Sequence, residues 1–249
     1  MENRSLFGPL IAELIGTFVL VFAVILVVAK YSVPVPSLPP GIVVFPIAVA
    51  HVLVLFMLIQ TLGGISGGHF NPAVTLALLS IKRITAPVAG GYILVQLVGG
   101  LLAAMVAGSV FQGPAEVVNY ASTHLADGVS LGSGIALEAI FTFLLVWAIV
   151  GTAVNPTGPR EWAPAVIAAT LGLGVLLIAT STGASLNPAR SFGPALWSGE
   201  WGPTKDFLLA YVVGPVGGGV IAAQVYNMLY LKTGEVLVEP PAPSEQSPI

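Results

Sequence analysis

Six long apolar stretches constrain this chain more than any other feature of its sequence. They cover about residues 6–29, 41–62, 88–111, 131–154, 163–181 and 207–231. About 20 apolar residues in a helix are enough to cross the ~30 Å hydrocarbon core of a bilayer. Only 8% of the 249 residues are charged, against roughly 25% in soluble domains. The sequence therefore predicts an all-α polytopic membrane protein with six transmembrane helices.

The composition also argues against several classes of function. The net charge of −3 and the lack of a basic patch argue against nucleic acid as a partner. The sequence contains no cysteine, which rules out disulfides and thiolate metal sites. The sequence has neither a nucleophile–base set nor a cluster of metal ligands. We therefore predict no enzyme activity, no cofactor and no metal.

A tripeptide that occurs twice predicts two further, shorter helices. Asn71-Pro72-Ala73 and Asn187-Pro188-Ala189 each end one long apolar run and open a shorter one. An asparagine side chain can cap a helix by accepting an N–H from its first turn. Proline suits the first helical position, where its missing N–H is not needed. We expect helices over about 72–80 and 188–196.

Each short helix is about half as long as a transmembrane helix. At roughly 1.5 Å per residue it measures ~15 Å, which is half of the hydrocarbon core. Two such half-helices that enter from opposite sides would meet at the midplane, N-terminus to N-terminus.

The chain repeats internally. The segment from Glu13 to Phe18 matches the segment from Glu138 to Phe143, and the two tripeptides lie 116 positions apart. Three spans per half is an odd number, so the second half must be inverted in the membrane, with a site at the midplane between the halves. We expect one domain over 1–231, with repeats over about 6–111 and 131–231. A polar, proline-rich tail follows at 232–249.

These motifs resemble those of the aquaporin (major intrinsic protein) family. The resemblance rests on Ser-Gly-Gly-His-Phe-Asn-Pro-Ala-Val-Thr at 66–75, Asn-Pro-Ala-Arg-Ser-Phe-Gly-Pro at 187–194, and the two Glu-x-x-x-Thr-Phe starts. It covers roughly residues 6–231. It implies an aquaporin-like bundle of six spans and two re-entrant half-helices. It also implies a homotetramer with one pore per protomer.

The half-helices suggest how such a pore treats charge. Each N-terminus carries about half a positive charge, so cations and hydronium would meet a barrier at the midplane. The oxygens of Asn71 and Asn187 serve as caps, which leaves their NH₂ groups as donors to passing water. A water that accepts from both turns its hydrogens outward, which opposes a continuous proton wire.

The backbone before each asparagine predicts a second set of pore groups. Non-helical backbone at membrane depth is tolerated where it lines an aqueous cavity. Its carbonyls would form a ladder of acceptors for water, as matching positions do in the family. The predicted carbonyls belong to Gly67, Gly68, His69, Gly183, Ala184 and Ser185.

Three ionisable residues lie inside the predicted membrane region. Glu13 and Glu138 are placed symmetrically, and we expect each to accept N–H groups from the re-entrant loop of its own half. A proton or ion relay is the alternative role for these acids. Arg190 directly follows the second tripeptide, where a permanent charge is expensive unless it lines water.

The family's spacing from the two asparagines also implies a selectivity filter. The implied filter residues are His51, Val175, Ala184 and Arg190. Strict water channels usually have an aromatic residue at the first position and histidine at the second. Glycerol facilitators usually have Trp and Phe here, with Asp after the arginine. The combination is most similar to that of plant vacuolar-membrane aquaporins.

We therefore predict a passive water channel that excludes protons and ions and has a somewhat wide filter. The alternative within the family is a facilitator of small neutral solutes such as ammonia, hydrogen peroxide, urea or glycerol. A secondary transporter also fits inverted repeats, but it needs a coupling-ion site, for which only Glu13 and Glu138 are available. A non-conducting membrane-junction protein of the same fold is the third alternative.

Lysine and arginine residues predict the orientation. The cations Arg4, Lys82, Arg83, Arg160 and Lys232 flank one side of the predicted spans, and only Lys30 and Lys205 flank the other. Because cytoplasmic loops carry the excess of positive charge, we expect both termini in the cytoplasm. We expect the plasma membrane as the location.

Overall fold

Ten α-helices form the part of the chain that the structure, a computed structural model, describes, which is residues 6–31 and 43–231. They are α1 (Phe7–Tyr31), α2 (Val44–Ser66), α3 (Pro72–Ser80), α4 (Ala86–Val110), α5 (Gln112–Val117), α6 (Leu131–Ile149), α7 (Ala163–Thr182), α8 (Pro188–Ser198), α9 (Thr204–Leu208) and α10 (Gly214–Tyr226). Five-residue π-turns extend α6 over Val150–Val154, join α9 to α10 over Leu209–Val213, and extend α10 over Asn227–Leu231.

The predicted six spans are confirmed. Six helical segments of 23 to 28 residues are long and apolar enough to cross a bilayer. The stretch at about 31–40 is rich in proline and predicts a loop, and all of it except Tyr31 lies outside the described residues. The tail at 232–249 and two of the cations used for orientation, Arg4 and Lys232, also lie outside them.

The two halves of the chain pack in the same way. In the first half α1 packs against α2 and α4, and in the second α6 packs against α7 and α10. α2 and α7 pack against each other and join the halves. Each half-helix packs on the last span of the opposite half, α3 on α10 and α8 on α4. This exchange holds the two half-helices between the halves of the molecule.

Glycine lets the helices approach closely at these crossings. A methyl group at Gly218 of α10 would overlap the carbonyl oxygen of Ala139 on α6. A methyl group at Gly100 of α4 would lie 2.5 Å from the carbonyl oxygen of Ala189 on α8. Such small residues are the usual means by which membrane helices bring their backbones together.

The half-helices begin at Pro72 and Pro188 as predicted, but several helix ends differ from the predictions. α2 continues past residue 62, through Gly63 and Gly64, neither of which interrupts the helix. It ends where Gly67 adopts φ +93°, the left-handed conformation in which its N–H bonds to the carbonyl of Gly63. α8 runs to residue 198 rather than 196, and it also ends at a left-handed glycine, Gly199, with φ +77°. The polar stretch at 112–130, for which the sequence predicts a loop, contains the short helix α5.

Candidate functional site

Both asparagines cap their half-helices. Asn71 has an extended backbone, and its Oδ1 accepts the N–H of Ala73 at 2.8 Å. Asn187 does the same for Ala189 at 3.0 Å and for Arg190 at 3.4 Å. The two N-termini therefore have the geometry that an Asn-Pro start predicts.

The two asparagine amides also bond across the molecule. Nδ2 of Asn71 donates to the carbonyl of Leu186 at 2.8 Å, and Nδ2 of Asn187 donates to the carbonyl of Phe70 at 2.9 Å. An NH₂ group has two hydrogens, so each amide keeps one for a solute. The sequence does not reveal these partners, because they lie more than a hundred residues away. The crossed bonds fix the half-helices N-terminus to N-terminus.

Glu13 and Glu138 hold the backbone that precedes each half-helix. The carboxylate of Glu13 accepts the N–H groups of His69 and Phe70 at 2.9 and 2.6 Å. The carboxylate of Glu138 accepts those of Ser185 and Leu186 at 2.9 and 2.7 Å. Both acids are fully buried. Their contacts are those expected of structural acids that serve the re-entrant loop of their own half.

Both carboxylates accept further hydrogen bonds, from donors that were not predicted from the sequence. Glu13 also accepts from Ser66 at 2.6 Å and from the amide of Gln96 at 2.7 Å. Glu138 also accepts from Thr182 at 2.7 Å. Two tyrosines 119 positions apart, Tyr92 and Tyr211, donate to the carbonyls of Ser66 and Thr182. The segment from Gln96 to Ala104 in α4 matches the segment from Pro215 to Ala223 in α10 at an offset of 119 positions. The two tyrosines share this spacing, which was the available signal in the sequence.

The loop backbone is held in a conformation that bulky residues rarely adopt. Phe70 and Leu186 have φ values of +49° and +52°, and Ala184 has +45°. Side chains other than glycine avoid this left-handed region, so the surrounding bonds must hold it in place. The bonds from Glu13 and Glu138 to the N–H groups of Phe70 and Leu186 do so.

A narrow cavity of about 70 Å³ runs past both tripeptides. Asn71, Asn187, His51 and Arg190 border it together with His69 and Ser185. The rest of its lining is largely aliphatic and comes from Leu20, Val24, Leu55, Ile59, Val74, Leu78, Leu145, Ile149, Ala153, Ile167 and Leu171. The cavity is therefore mostly apolar, with a few polar side chains from both halves of the chain.

The narrow cavity adjoins a wider one of about 500 Å³. His51 and Arg190 border both cavities and mark the junction between them. Val175 and Gly183 border only the wider one. Of the four predicted filter residues, His51 and Arg190 thus meet at the junction, and Val175 borders the wider cavity. Ala184 is buried in the core with Val175, and its neighbour Gly183 borders the cavity instead.

The predicted carbonyl ladder is divided between the two cavities. Gly67, Gly68, His69 and Ser185 border the narrow cavity. Within the described residues, no hydrogen bond reaches the backbone carbonyls of Gly67, Gly68 and His69. Their lone pairs are therefore available to a solute. His69 has a packing role too, since its Nδ1 lies 3.1 Å from Thr75 Oγ1.

Arg190 is 5% exposed and makes one bond to the connection between α5 and α6. Its Nη1 donates to the carbonyl of Ala121 at 2.6 Å, while its buried Nε has no hydrogen-bond partner among the described residues. Asn119, Tyr120 and Ala121 all have positive φ, and this left-handed turn aims the Ala121 carbonyl at the guanidinium. None of these three residues is a glycine, so the turn was not predicted from the sequence.

His51 is oriented by its own helix. Its Nδ1 lies 2.8 Å from the carbonyl of Ile47, one turn earlier in α2. A carbonyl can only accept, so in the neutral ring Nδ1 carries the hydrogen and Nε2 is left as an acceptor. The residue therefore offers an acceptor close to the donors of Arg190.

Comparison with known proteins identifies the family. A model of the family described as "Major intrinsic protein" matches residues 1–226. The chain belongs to the major intrinsic protein family. It is therefore an integral, multi-pass membrane channel and not an enzyme.

Relatives of this major intrinsic protein differ in their names. Nodulin-26 of Glycine max is 38% identical over 88% of this chain and 77% of its own. The probable aquaporin AqpM of Archaeoglobus fulgidus is 37% identical over 88% of this chain and 95% of its own. The glycerol uptake facilitator protein-like 6 of Lactiplantibacillus plantarum is 37% identical over 86% and 94%. The names cover water and glycerol, so the relatives leave the choice of solute open.

The fold of this major intrinsic protein is also found in a solved structure. The aquaglyceroporin from Plasmodium falciparum superposes with a TM-score of 0.76 over 90% of this chain and 97% of that one, at 23% identity. The shared fold confirms the predicted bundle of transmembrane helices with two half-helices.

Proposed function

We propose that this channel conducts water passively and excludes protons and ions. The observation that carries the proposal is the narrow cavity that both asparagine amides, His51 and Arg190 border together. Its volume of about 70 Å³ is small beside the wider cavity of about 500 Å³. Water would pass in single file and exchange its bulk hydrogen bonds for the amides and the free carbonyls.

Charge exclusion follows from three positive groups around this path. The N-termini of α3 and α8 each contribute about half a charge at the crossed asparagines, and Arg190 adds a full one. Because one hydrogen of each amide is held by the opposite loop, the other has a fixed direction. A water that accepts from both amides has no lone pair left to accept from its neighbours in the file and donates outward on both sides, which opposes proton transfer.

A second conducted class, small neutral solutes, has specific support. Val175 is aliphatic and Gly183 lacks a side chain, so these two residues make part of the wall of the wider cavity small and without side-chain hydrogen bonds. Arg190 donates and His51 accepts at the junction. We propose the four predicted residues, His51, Val175, Ala184 and Arg190, as the filter. We expect ammonia and hydrogen peroxide to pass measurably, and urea and glycerol more slowly.

The saturated acids favour a channel over an ion-coupled transporter. Glu13 receives four hydrogen bonds and Glu138 receives three, so neither has an oxygen without a donor. A coupling cation would have to displace these donors. We propose in addition a homotetramer in the plasma membrane, with both termini cytoplasmic. We also propose a single channel domain over 1–231, followed by the tail at 232–249.

Stopped-flow light scattering on proteoliposomes tests the proposal. Vesicles that hold the full chain should shrink in an impermeant osmolyte much faster than empty vesicles, with the same rate in sodium and in potassium. Re-swelling in urea or glycerol should follow more slowly. Shrinkage no faster than that of empty vesicles would support the membrane-junction alternative instead. A rate that depends on a sodium gradient would support the transporter.

A further inference from the structure

Thr123 is a buried hydroxyl residue that the proposed pore does not use. It lies in the connection between α5 and α6 and is 1% exposed. Its neighbours Ser122 and His124 border the wider cavity, but Thr123 borders neither of the two cavities described above. Its Oγ1 donates to Ser191 Oγ, on the first turn of α8, at 2.7 Å. Thr123 therefore acts on α8 and not directly on a solute.

The bond to Ser191 is the first of a chain of three hydroxyls that ends at the second tripeptide. Ser191 Oγ lies 2.5 Å from Ser185 Oγ, and Ser185 Oγ donates to the carbonyl of Asn187 at 3.0 Å. Since Thr123 donates to Ser191 and Ser185 donates to Asn187, Ser191 must donate to Ser185. All three hydrogens then run in one direction, from the connection to the backbone of Asn187.

The first half of the chain has a corresponding network with a different third member. Ser185 and Ser191 lie 116 positions after His69 and Thr75, which also contact each other. There, the third polar group is the amide of Gln96 on α4, which donates to Thr75 at 3.0 Å. The residue that matches Gln96 at the repeat offset of 119 is Pro215, which has no donor.

We propose that Thr123 is a positioning residue that replaces the missing span donor in the second half and fixes Asn187 and Arg190 against the pore. This inference rests on the proposed function and names a specificity-determining residue for it. The same connection also holds Arg190 through the carbonyl of Ala121, and it contacts Ser198 through Ser122 at 3.0 Å. The connection from 119 to 123 thus fastens α8 from its first turn to its last. In the first half, the corresponding bond to Thr75 of α3 comes from Gln96 on the span α4.

Loss of the Thr123 hydroxyl should loosen the filter without blocking it. Thr123→Val keeps the shape of the side chain but removes the donor to Ser191. Ser191, Ser185 and the start of α8 could then shift, and with them the amide of Asn187 and the guanidinium of Arg190. Because those two groups border the narrow cavity, the permeability to larger solutes and protons should rise more than the permeability to water.

The test compares four forms of the full chain in proteoliposomes at equal protein content: wild type, Thr123→Val, Thr123→Ser and Thr142→Val. Thr142 is the matched control, since it is also fully buried but donates only to the backbone of its own helix at Glu138. Thr123→Val should raise the glycerol-to-water permeability ratio roughly two- to tenfold, the range expected for one buried hydrogen bond. Thr123→Ser and Thr142→Val should retain the wild-type ratio.

A conducting wild type with an unchanged ratio in Thr123→Val, or an equal rise in Thr142→Val, would overturn the inference alone. A wild type that conducts neither water nor glycerol would overturn the proposed function and the inference with it. If Thr123→Val does not fold, Ser191→Ala breaks the same bond from the helix side. Ser191→Ala should then raise the ratio, and an unchanged ratio would overturn the inference.

Discussion

At the scale of single residues, Arg190 is the one permanent charge that borders both cavities. It is 5% exposed and keeps one bond, to the carbonyl of Ala121. A buried charge of this kind repels other cations strongly, because two unit charges 4 Å apart interact by about 4 kcal/mol at an effective dielectric constant of about 20.

Arg190→Val should therefore raise proton or cation leak at least about tenfold while water still passes, since a tenfold change needs only ~1.4 kcal/mol. Decay of an imposed pH gradient in dye-loaded proteoliposomes measures the leak. Arg83→Val is the control, since Arg83 is exposed and borders neither cavity. If Arg190→Val shows no leak at any pH gradient, the half-helix dipoles alone provide the barrier.

His51 sets the size of the proposed filter. It is buried at the junction of the cavities and bonded to its own helix at Ile47. His51→Phe puts a larger, apolar ring there and removes the acceptor. Glycerol and urea fluxes should fall several-fold, and water flux should fall least. His124 borders only the wider cavity, so His124→Phe is the control and should change none of these fluxes. If His51→Phe alters only the water flux, the wide-filter proposal is wrong.

At the scale of elements, each re-entrant loop depends on one buried carboxylate. Glu138→Gln replaces an accepting oxygen by an NH₂ group that faces an N–H of the loop, at Ser185 or Leu186. One buried donor is then left unsatisfied, a loss of about 1–3 kcal/mol of folding free energy. The thermal unfolding midpoint in detergent should fall clearly, whereas Glu116→Gln, at an exposed site of α5, should leave it unchanged. Equal midpoints for both variants would show that the carboxylate is dispensable.

The crossing of α6 and α10 depends on glycine at one position. Gly218→Ala places a methyl group on the carbonyl oxygen of Ala139, so α10 must move away and the yield of folded protein should drop. Gly217→Ala is the matched control, because nothing lies within 4 Å of a methyl group there. Size-exclusion profiles of the two variants in detergent make the comparison. A folded yield for Gly218→Ala equal to that of Gly217→Ala would contradict the close crossing.

The features that depend on local sequence were predicted correctly, whereas the long-range contacts were not. The half-helix starts follow from Asn and Pro alone, and both caps form as expected. The crossed bonds of Asn71 and Asn187 depend on the approach of two loops from different halves, which no local pattern encodes. The left-handed turn at 119–121 has no glycine to mark it, and the bond from Ala121 to Arg190 stabilises it only in the folded chain.

At the scale of the whole molecule, one path should conduct water and exclude protons. The asparagines that cap the two half-helices border a narrow cavity that Arg190 also borders, and each half-helix packs on the opposite half. The start of each half-helix is held by the opposite half and by a buried acid, and Arg190 is held by the Ala121 carbonyl in the connection between α5 and α6. The separation is therefore a property of the assembled fold rather than of any single residue.

Stopped-flow recording on proteoliposomes loaded with a pH-sensitive dye tests that separation most directly. The vesicles receive an osmotic gradient and a pH gradient in the same mixing step, and light scattering and dye fluorescence are followed together. We expect shrinkage well above that of empty vesicles, with a dye signal that decays no faster than in empty vesicles. A dye signal that collapses together with the volume, or a volume that changes no faster than in empty vesicles, would contradict this expectation.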